Sequence, residues 1–168
     1  MRPDIEHRQM GPSTVRCFVL TVSDTRTDAT DTSGRAIADL LQSAGHQVAG
    51  HTIARDDANE VKLIVHEQLA REDVDVMITT GGTGIASRDT TYEAIDGVLD
   101  KRLDGFGELF RMLSYEQIGP AAMLSRALAG ISRGKIVIAL PGSENAVTLA
   151  MEKLVLPELS HLVQQARK

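Results

Sequence analysis

Val74-Asp75-Val76-Met77-Ile78-Thr79-Thr80-Gly81-Gly82-Thr83-Gly84 runs from an apolar stretch into three glycines within four residues. The first part has the apolar, β-branched character of a buried strand. The second part is a loop whose backbone can come close to an anion, because no Cβ stands in the way. A tight turn needs fewer glycines, and Thr83 places a hydroxyl between them. The arrangement therefore favours ligand binding over turn geometry alone. A helical pattern starts near Thr90, so strand, loop and helix follow in the order of a parallel α/β unit.

The same order recurs along the chain. Residues 15–22 lead into Ser23-Asp24-Thr25-Arg26, and residues 48–54 into Arg55-Asp56-Asp57. Residues 136–140 lead into Pro141-Gly142-Ser143. Loops at the carboxyl ends of parallel strands converge on one crevice, and ligands bind there. This crevice would hold small hydroxyls, bare backbone and carboxylates, which suits phosphate with a divalent metal.

The intervening segments read as helices. Residues 32–44 carry Ile37, Leu40, Leu41 and Ala44 at helical spacing, with Asp31 or Thr32 as cap and Gly45 as stop. Asp57-Ala58-Asn59-Glu60 and Thr90-Thr91-Tyr92-Glu93 have the side chains of capping boxes. Residues 105–117 predict a helix with Phe106, Leu109, Phe110 and Leu113 on one side, and a short helix follows near residues 121–126. Residues 128–131 and 135–140 predict a hairpin through Ser132-Arg133-Gly134. Helices begin near Ser143 and Pro157, with Pro157 breaking or restarting the last one.

Composition narrows the function. The chain has 168 residues, 42% hydrophobic and 24% charged, which is enough for one domain with a sizeable core. Residues 1–13 read as a flexible tail and residues 14–168 as one domain. The net charge of −5 opposes a nucleic-acid partner, and the absence of Trp opposes a base-stacking platform. The single cysteine, Cys17, lies within a strand and reads as a buried, silent thiol, consistent with the cytoplasm. The amino terminus lacks the apolar run of a signal peptide, and nothing approaches a membrane span.

Asp56 and Asp89 are the candidate metal ligands. A carboxylate beside a phosphate site is repulsive unless a cation lies between, and Mg²⁺ typically uses one or two carboxylates with phosphate oxygens. Either aspartate could instead cap a helix. For Asp56 the two readings balance, for Asp89 the metal is favoured, and Asp57 reads as a cap. Neither the P-loop nor the dinucleotide glycine pattern is present. The five histidines have no metal-ligand spacing and read as surface or strand-edge residues. Without an obvious base, the site suits a nucleophile that is already ionised, such as a phosphate monoester attacking the α-phosphorus of a nucleotide.

These residues together resemble the MoaB/Mog family of molybdenum-cofactor biosynthesis, whose active members are molybdopterin adenylyltransferases. The matching stretches are Thr21-Val22-Ser23-Asp24, Asp31-Thr32-Ser33-Gly34, Thr80-Gly81-Gly82-Thr83-Gly84, Gly105-Phe106-Gly107-Glu108 and Pro141-Gly142-Ser143. Phe110-Arg111-Met112-Leu113-Ser114-Tyr115-Glu116-Gln117-Ile118-Gly119 looks like the MoaB branch. The resemblance spans roughly residues 14–165. It implies a three-layer α/β/α domain with a doubly wound, mostly parallel sheet, assembled as a homotrimer or homohexamer. It also implies Mg²⁺-dependent transfer of AMP from ATP to molybdopterin, with pyrophosphate released. Asp56 and Asp89 match the family's two catalytic aspartates. Ser23, Asp24, Gly81, Gly82, Thr83, Gly84, Pro141, Gly142 and Ser143 match its substrate loops, and Arg126 its phosphate contact. Asn145 stands where some relatives carry Lys.

Two other functions compete. One is a scaffold that holds molybdopterin without turnover, and Asp56 with Asp89 weighs against it. The other is a hydrolase of nucleotide pyrophosphates on the same fold, which its products would reveal. For assembly, the segment from residue 105 to 123 holds three of the chain's five aromatics. That is a surplus of apolar groups for one helix face, so Phe110, Met112 or Tyr115 is expected between subunits.

Overall fold

The computed structural model describes residues 11–168, so most of the expected tail, residues 1–10, lies outside the described residues. One six-stranded sheet runs through it in the order β2-β1-β3-β6-β5-β4. Its strands are β1 (Arg16–Val22), β2 (Gln47–Ala54), β3 (Val76–Thr80), β4 (Lys101–Arg102), β5 (Leu128–Ser132) and β6 (Lys135–Leu140). Strands β2, β1, β3 and β6 are parallel, whereas β5 is antiparallel to β6 and β4 to β5. The expected α/β class, mostly parallel sheet and hairpin are all present.

Strand alternation builds the other two layers. Val15, Cys17 and Val19 of the first strand segment face a cluster with Ile37, Leu41, Val147, Met151 and Leu159. Those partners come from α1 (Thr32–Ser43), α5 (Glu144–Ala150), a π-helical segment (Met151–Val155) and α6 (Leu156–Ala166). Phe18, Leu20 and Val22 face the opposite cluster, with Val61, Val65, Ala94 and Ile95. These belong to α2 (Ala58–Leu69) and α3 (Thr91–Asp96). Helix α4 (Asp104–Ile118) joins the first layer through Phe110.

Local chemistry sets the helix starts. Asp31 accepts the Gly34 N–H at 2.9 Å, and Asp57 accepts those of Asn59 and Glu60 at 3.0 and 2.9 Å. Only half of the Asp57 capping box forms, because the Asp57 N–H donates to Arg55 O at 2.8 Å. The Thr90 box does not form at all. The Thr90 hydroxyl donates to Asp56 Oδ1 at 3.0 Å, where the acceptor is a carboxylate.

Other expectations are refined in detail. The short helix near residue 121 is a 3-10 turn, Gly119–Leu124, opened by Pro120. Of its two expected roles, breaking or restarting the last helix, Pro157 takes the second. It sits in the first turn of α6, where its missing N–H costs little, and the π-helical segment carries the chain through. The hairpin turn is only Arg133-Gly134, at φ 51 and 73, with Ser132 paired inside β5. Phe110 is 1% exposed within the chain's own core, so it is unavailable to fill an interface between subunits. Edge strand β4 carries no pattern that a sequence reading could use, being two charged residues long.

Candidate active site

Adjacent parallel strands β2, β1, β3 and β6 bring their carboxyl-end loops to one cleft of about 340 Å³. The chain order reverses direction in the sheet between β1 and β3, the switch point at which such folds bind ligands. Ser23, Asp24, Asp56, Gly81, Gly82, Asp89 and Gly142 all line the cleft. Gly81 lies against the end of β1. A Cβ there would stand 2.2 Å from Val22 O, and its φ is +95, so only glycine closes the contact.

The glycine loop has a one-sided hydrogen-bond pattern. Gly82 O accepts from Thr91 N at 3.0 Å, and Thr83 O from Arg126 Nε at 3.0 Å. Gly84 O accepts from the same guanidinium. Among the described residues, no protein acceptor takes the N–H of Gly82, Thr83 or Gly84. A loop whose carbonyls are used and whose amides are free is a nest for an anion. Thr91 Oγ1, buried beside Gly82, also has no hydrogen-bond partner among the described residues.

The aspartates differ in what they hold. Asp56 Oδ1 accepts from the N–H and hydroxyl of Thr90, at 3.2 and 3.0 Å. Its Oδ2 lies toward Gly82, 2.9 Å from where a Cβ would be. Asp89 Oδ2 accepts Ala86 N at 3.1 Å. Asp24 is committed on both sides, accepting Asp56 N at 3.1 Å through Oδ1 and pairing with Arg88 through Oδ2. The Asp56 amide and the Arg88 side chain together hold the Asp24 carboxyl below the usual carboxylate range.

The remaining sequence candidates divide. The Ser23 hydroxyl accepts Thr25 N and Arg26 N, at 3.2 and 3.1 Å, and keeps its own proton to donate. Of Pro141-Gly142-Ser143 only Gly142 reaches the cleft. Pro141 O accepts from Thr80 at 2.9 Å, Gly142 O from Ser33 at 2.6 Å, and Ser143 caps α5 through Ala146 N at 3.2 Å. Thr83, Gly84 and Arg126 do not line the cleft. Asn145 lies exposed in the first turn of α5.

The sequence reading missed the network that joins Thr21 of the cleft lining to Asp31 and His51. Buried Asp31 accepts Thr21 Oγ1 at 2.6 Å, and His51 Nε2 lies 2.9 Å from the same oxygen. His51 does sit on the edge strand β2, but it is tied inward rather than idle. A Cβ on Gly34 would fall within 2.5 Å of all three side chains. The quartet Asp31-Thr32-Ser33-Gly34 was the available signal. The cleft's own cations, Arg26 and Arg88, were also passed over as site residues.

The donor set suits a metal shared with substrate. Among the described residues, no group of three His, Cys, Asp or Glu comes together to hold an ion. Asp56 and Asp89 stand in one cleft, and Asp56 Oδ2 makes no protein hydrogen bond. Two carboxylates without an all-protein cage match Mg²⁺, which completes its shell with phosphate oxygens and waters.

The family described as "Probable molybdopterin binding domain" matches residues 18–161. Molybdenum cofactor biosynthesis protein B of Bacillus cereus is 52% identical over 158 residues, 94% of each chain. A crystal structure of molybdenum cofactor biosynthesis protein B superposes with a TM-score of 0.90 at 51% identity, covering 94% of this chain and 98% of that one. The tungsten cofactor synthesizing protein MoaB from Pyrococcus furiosus superposes at 0.84 with 40% identity, over 94% and 99% of the two chains.

Proposed function

We propose that this chain, which belongs to the molybdopterin-binding domain family and is MoaB-like, is a molybdopterin adenylyltransferase of molybdenum-cofactor biosynthesis. It would transfer AMP from ATP to the terminal phosphate of molybdopterin. The observation that carries this reading is the glycine loop, with its carbonyls used and its amides free, beside the carboxylates of Asp56 and Asp89.

In the proposed reaction an oxygen of the molybdopterin phosphate attacks the α-phosphorus of ATP. One P–O bond forms there as the bond to the α–β bridging oxygen breaks, and pyrophosphate leaves with that oxygen. The attacking oxygen is already ionised at neutral pH, so no side chain has to remove a proton. The amide of Gly82 binds a phosphate oxygen in the cleft, and Arg26 and Arg88 add positive charge at the cleft wall. Ser23 donates its hydroxyl to the substrate. Asp56 and Asp89 would hold Mg²⁺, which would supply charge neutralisation at the phosphates.

The chain works as one domain in the cytoplasm. Among the described residues, no helix is long and apolar enough to cross a membrane. Its copies associate through α4 and the following 3-10 turn, where Met112, Tyr115, Ile118 and Met123 are 54–74% exposed. The function is tested by whether pyrophosphate release from ATP depends on molybdopterin. Release that is equally fast without the pterin would point to a nucleotide hydrolase.

A further inference from the structure

We infer that Arg126 is a positioning residue, not a phosphate contact: it holds the glycine loop open to an anion by binding the carbonyls of Thr83 and Gly84. The inference deepens the proposed function and rests on it for its kinetic consequence. Its structural part stands on geometry alone.

Arg126 lies between the 3-10 turn and β5, behind the glycine loop and outside the cleft lining. Its Nε–H donates to Thr83 O at 3.0 Å, and one terminal nitrogen donates to Gly84 O. The other terminal nitrogen pairs with Glu93 of α3. The guanidinium also stacks on the Tyr92 ring, with its carbon 4.9 Å from the centroid. Tyr92 is fixed in turn, because its hydroxyl accepts from Arg102 of β4 at 2.7 Å. Four hydrogen bonds and a stacked face leave the guanidinium little capacity for a phosphate oxygen.

The consequence falls on the loop. A peptide plane has its carbonyl and the following N–H on opposite sides. Binding the carbonyls of Thr83 and Gly84 from behind therefore turns the amides that follow them away from Arg126. Gly82 O is fastened the same way, by Thr91 N. Gly82 and Gly84 have no Cβ to resist other conformations, so without these ties the loop would sample many. The planar fork reaches two adjacent carbonyls at once, which a lysine ammonium does not reproduce.

Backbone amide order parameters of the ligand-free protein, wild type against Arg126→Gln, test the inference. In the wild type the amides of Gly84 and Ile85, which follow the two bound carbonyls, should be rigid, at ~0.85, and in the variant they should fall below ~0.6. The β3 amides should stay unchanged. Arg126→Lys should leave the loop loose as well. For Mg-ATP turnover, both variants should raise KM about tenfold, with kcat changed less. A direct phosphate contact predicts the reverse pattern: a rigid free loop in Arg126→Gln and rescue by lysine. Either result overturns the proposal. A loosened loop in a protein without turnover on molybdopterin would sink the functional reading and leave the positioning role intact. Should Arg126→Gln fail to fold, Glu93→Gln removes the acid that anchors the guanidinium. It should loosen the same two amides to a smaller degree, and an unchanged loop there also overturns the role.

Discussion

Asp24 accepts the backbone N–H of Asp56 at 3.1 Å, so the loop after β1 sets the position of the loop after β2. Arg88, beyond the glycine loop, holds the other Asp24 oxygen. One exposed carboxylate thus ties together three strand-end loops around the cleft. Asp56, placed in this way, spends Oδ1 on Thr90 and keeps Oδ2 free of protein partners. Asp24 therefore organises the cleft, whereas Asp56 and Asp89 remain able to serve a ligand.

Asp89→Asn and Asp56→Asn should fold normally. The amide oxygen can still accept from Ala86 N in the first and from Thr90 in the second. Each variant removes a negative charge that Mg²⁺ needs. Turnover should fall about a hundredfold or more, with a melting temperature close to that of the wild type. Near-normal turnover in a folded Asp89→Asn protein would remove the metal-ligand assignment. Asp56→Asn should follow the same direction, with some added loss from its tie to Thr90.

Asp75 makes the acid limb of stability predictable. It is 6% exposed, its Oδ2 accepting the Arg16 backbone N–H and Nε–H and its Oδ1 accepting a terminal nitrogen of Arg16 and one of Arg167, each at 2.7 Å. Burial by itself raises this carboxyl, but the Arg16 hydrogen bonds and the charges of Arg16 and Arg167 outweigh it and hold it below its usual value. A lowered folded pKa gives stability that is complete above the unfolded value, near pH 4, and lost as pH falls through the folded one. Asp75→Asn should cost about 1–3 kcal/mol at neutral pH. It should also flatten the melting-temperature profile below about pH 4. An unchanged acid profile would show that the cluster contributes nothing.

Cys17 is fully buried in β1, and burial, followed by the nearby Asp75 charge, pushes its thiol up to about 12. The native protein should resist thiol reagents at neutral pH, and label should enter only on unfolding. Cys17→Ser should lose about 1–3 kcal/mol by burying a hydroxyl, with turnover unaffected. Rapid native labelling would contradict the burial.

Helix α4 and the 3-10 turn expose Met112, Tyr115, Ile118 and Met123 together. Sedimentation at micromolar concentration should find a trimer or a dimer of trimers. Tyr115→Glu should shift it toward smaller species, because burying a charge at an apolar contact is costly. A single 18.2 kDa species in the wild type would reject the assembly.

The frame of the fold was legible because β1, β3 and β6 are continuous apolar runs, each ending in residues suited to a loop. The Asp57 cap was legible, because Asp57-Ala58-Asn59-Glu60 carries the side chains of a capping box, and the first cap was narrowed to Asp31 or Thr32, of which Asp31 serves. Thr90 was not, because its hydroxyl chose a carboxylate 34 residues away over its own helix. Arg126 matches the phosphate contact of the resembled family by motif alone. Which way a guanidinium forks depends on the carbonyls of Thr83 and Gly84, and no spacing records their direction. The Thr21-Asp31-His51 cluster was hidden for a similar reason, since it joins three separate elements. The π-helical turn before Pro157 has no one-dimensional signature either. Pro157 itself follows the local rule, sitting in the first turn of α6, while Met151 and Val155 pack the wider turn into the core.

The destination of the α-phosphate of ATP tests the central claim most directly. With ATP labelled at the α-phosphorus, Mg²⁺ and molybdopterin, the label should move onto the pterin as adenylyl-molybdopterin, with one pyrophosphate released per transfer. Asp89→Asn should abolish that movement under the same conditions. Label recovered as free AMP at the same rate with or without molybdopterin, or label remaining in ATP, would contradict the account.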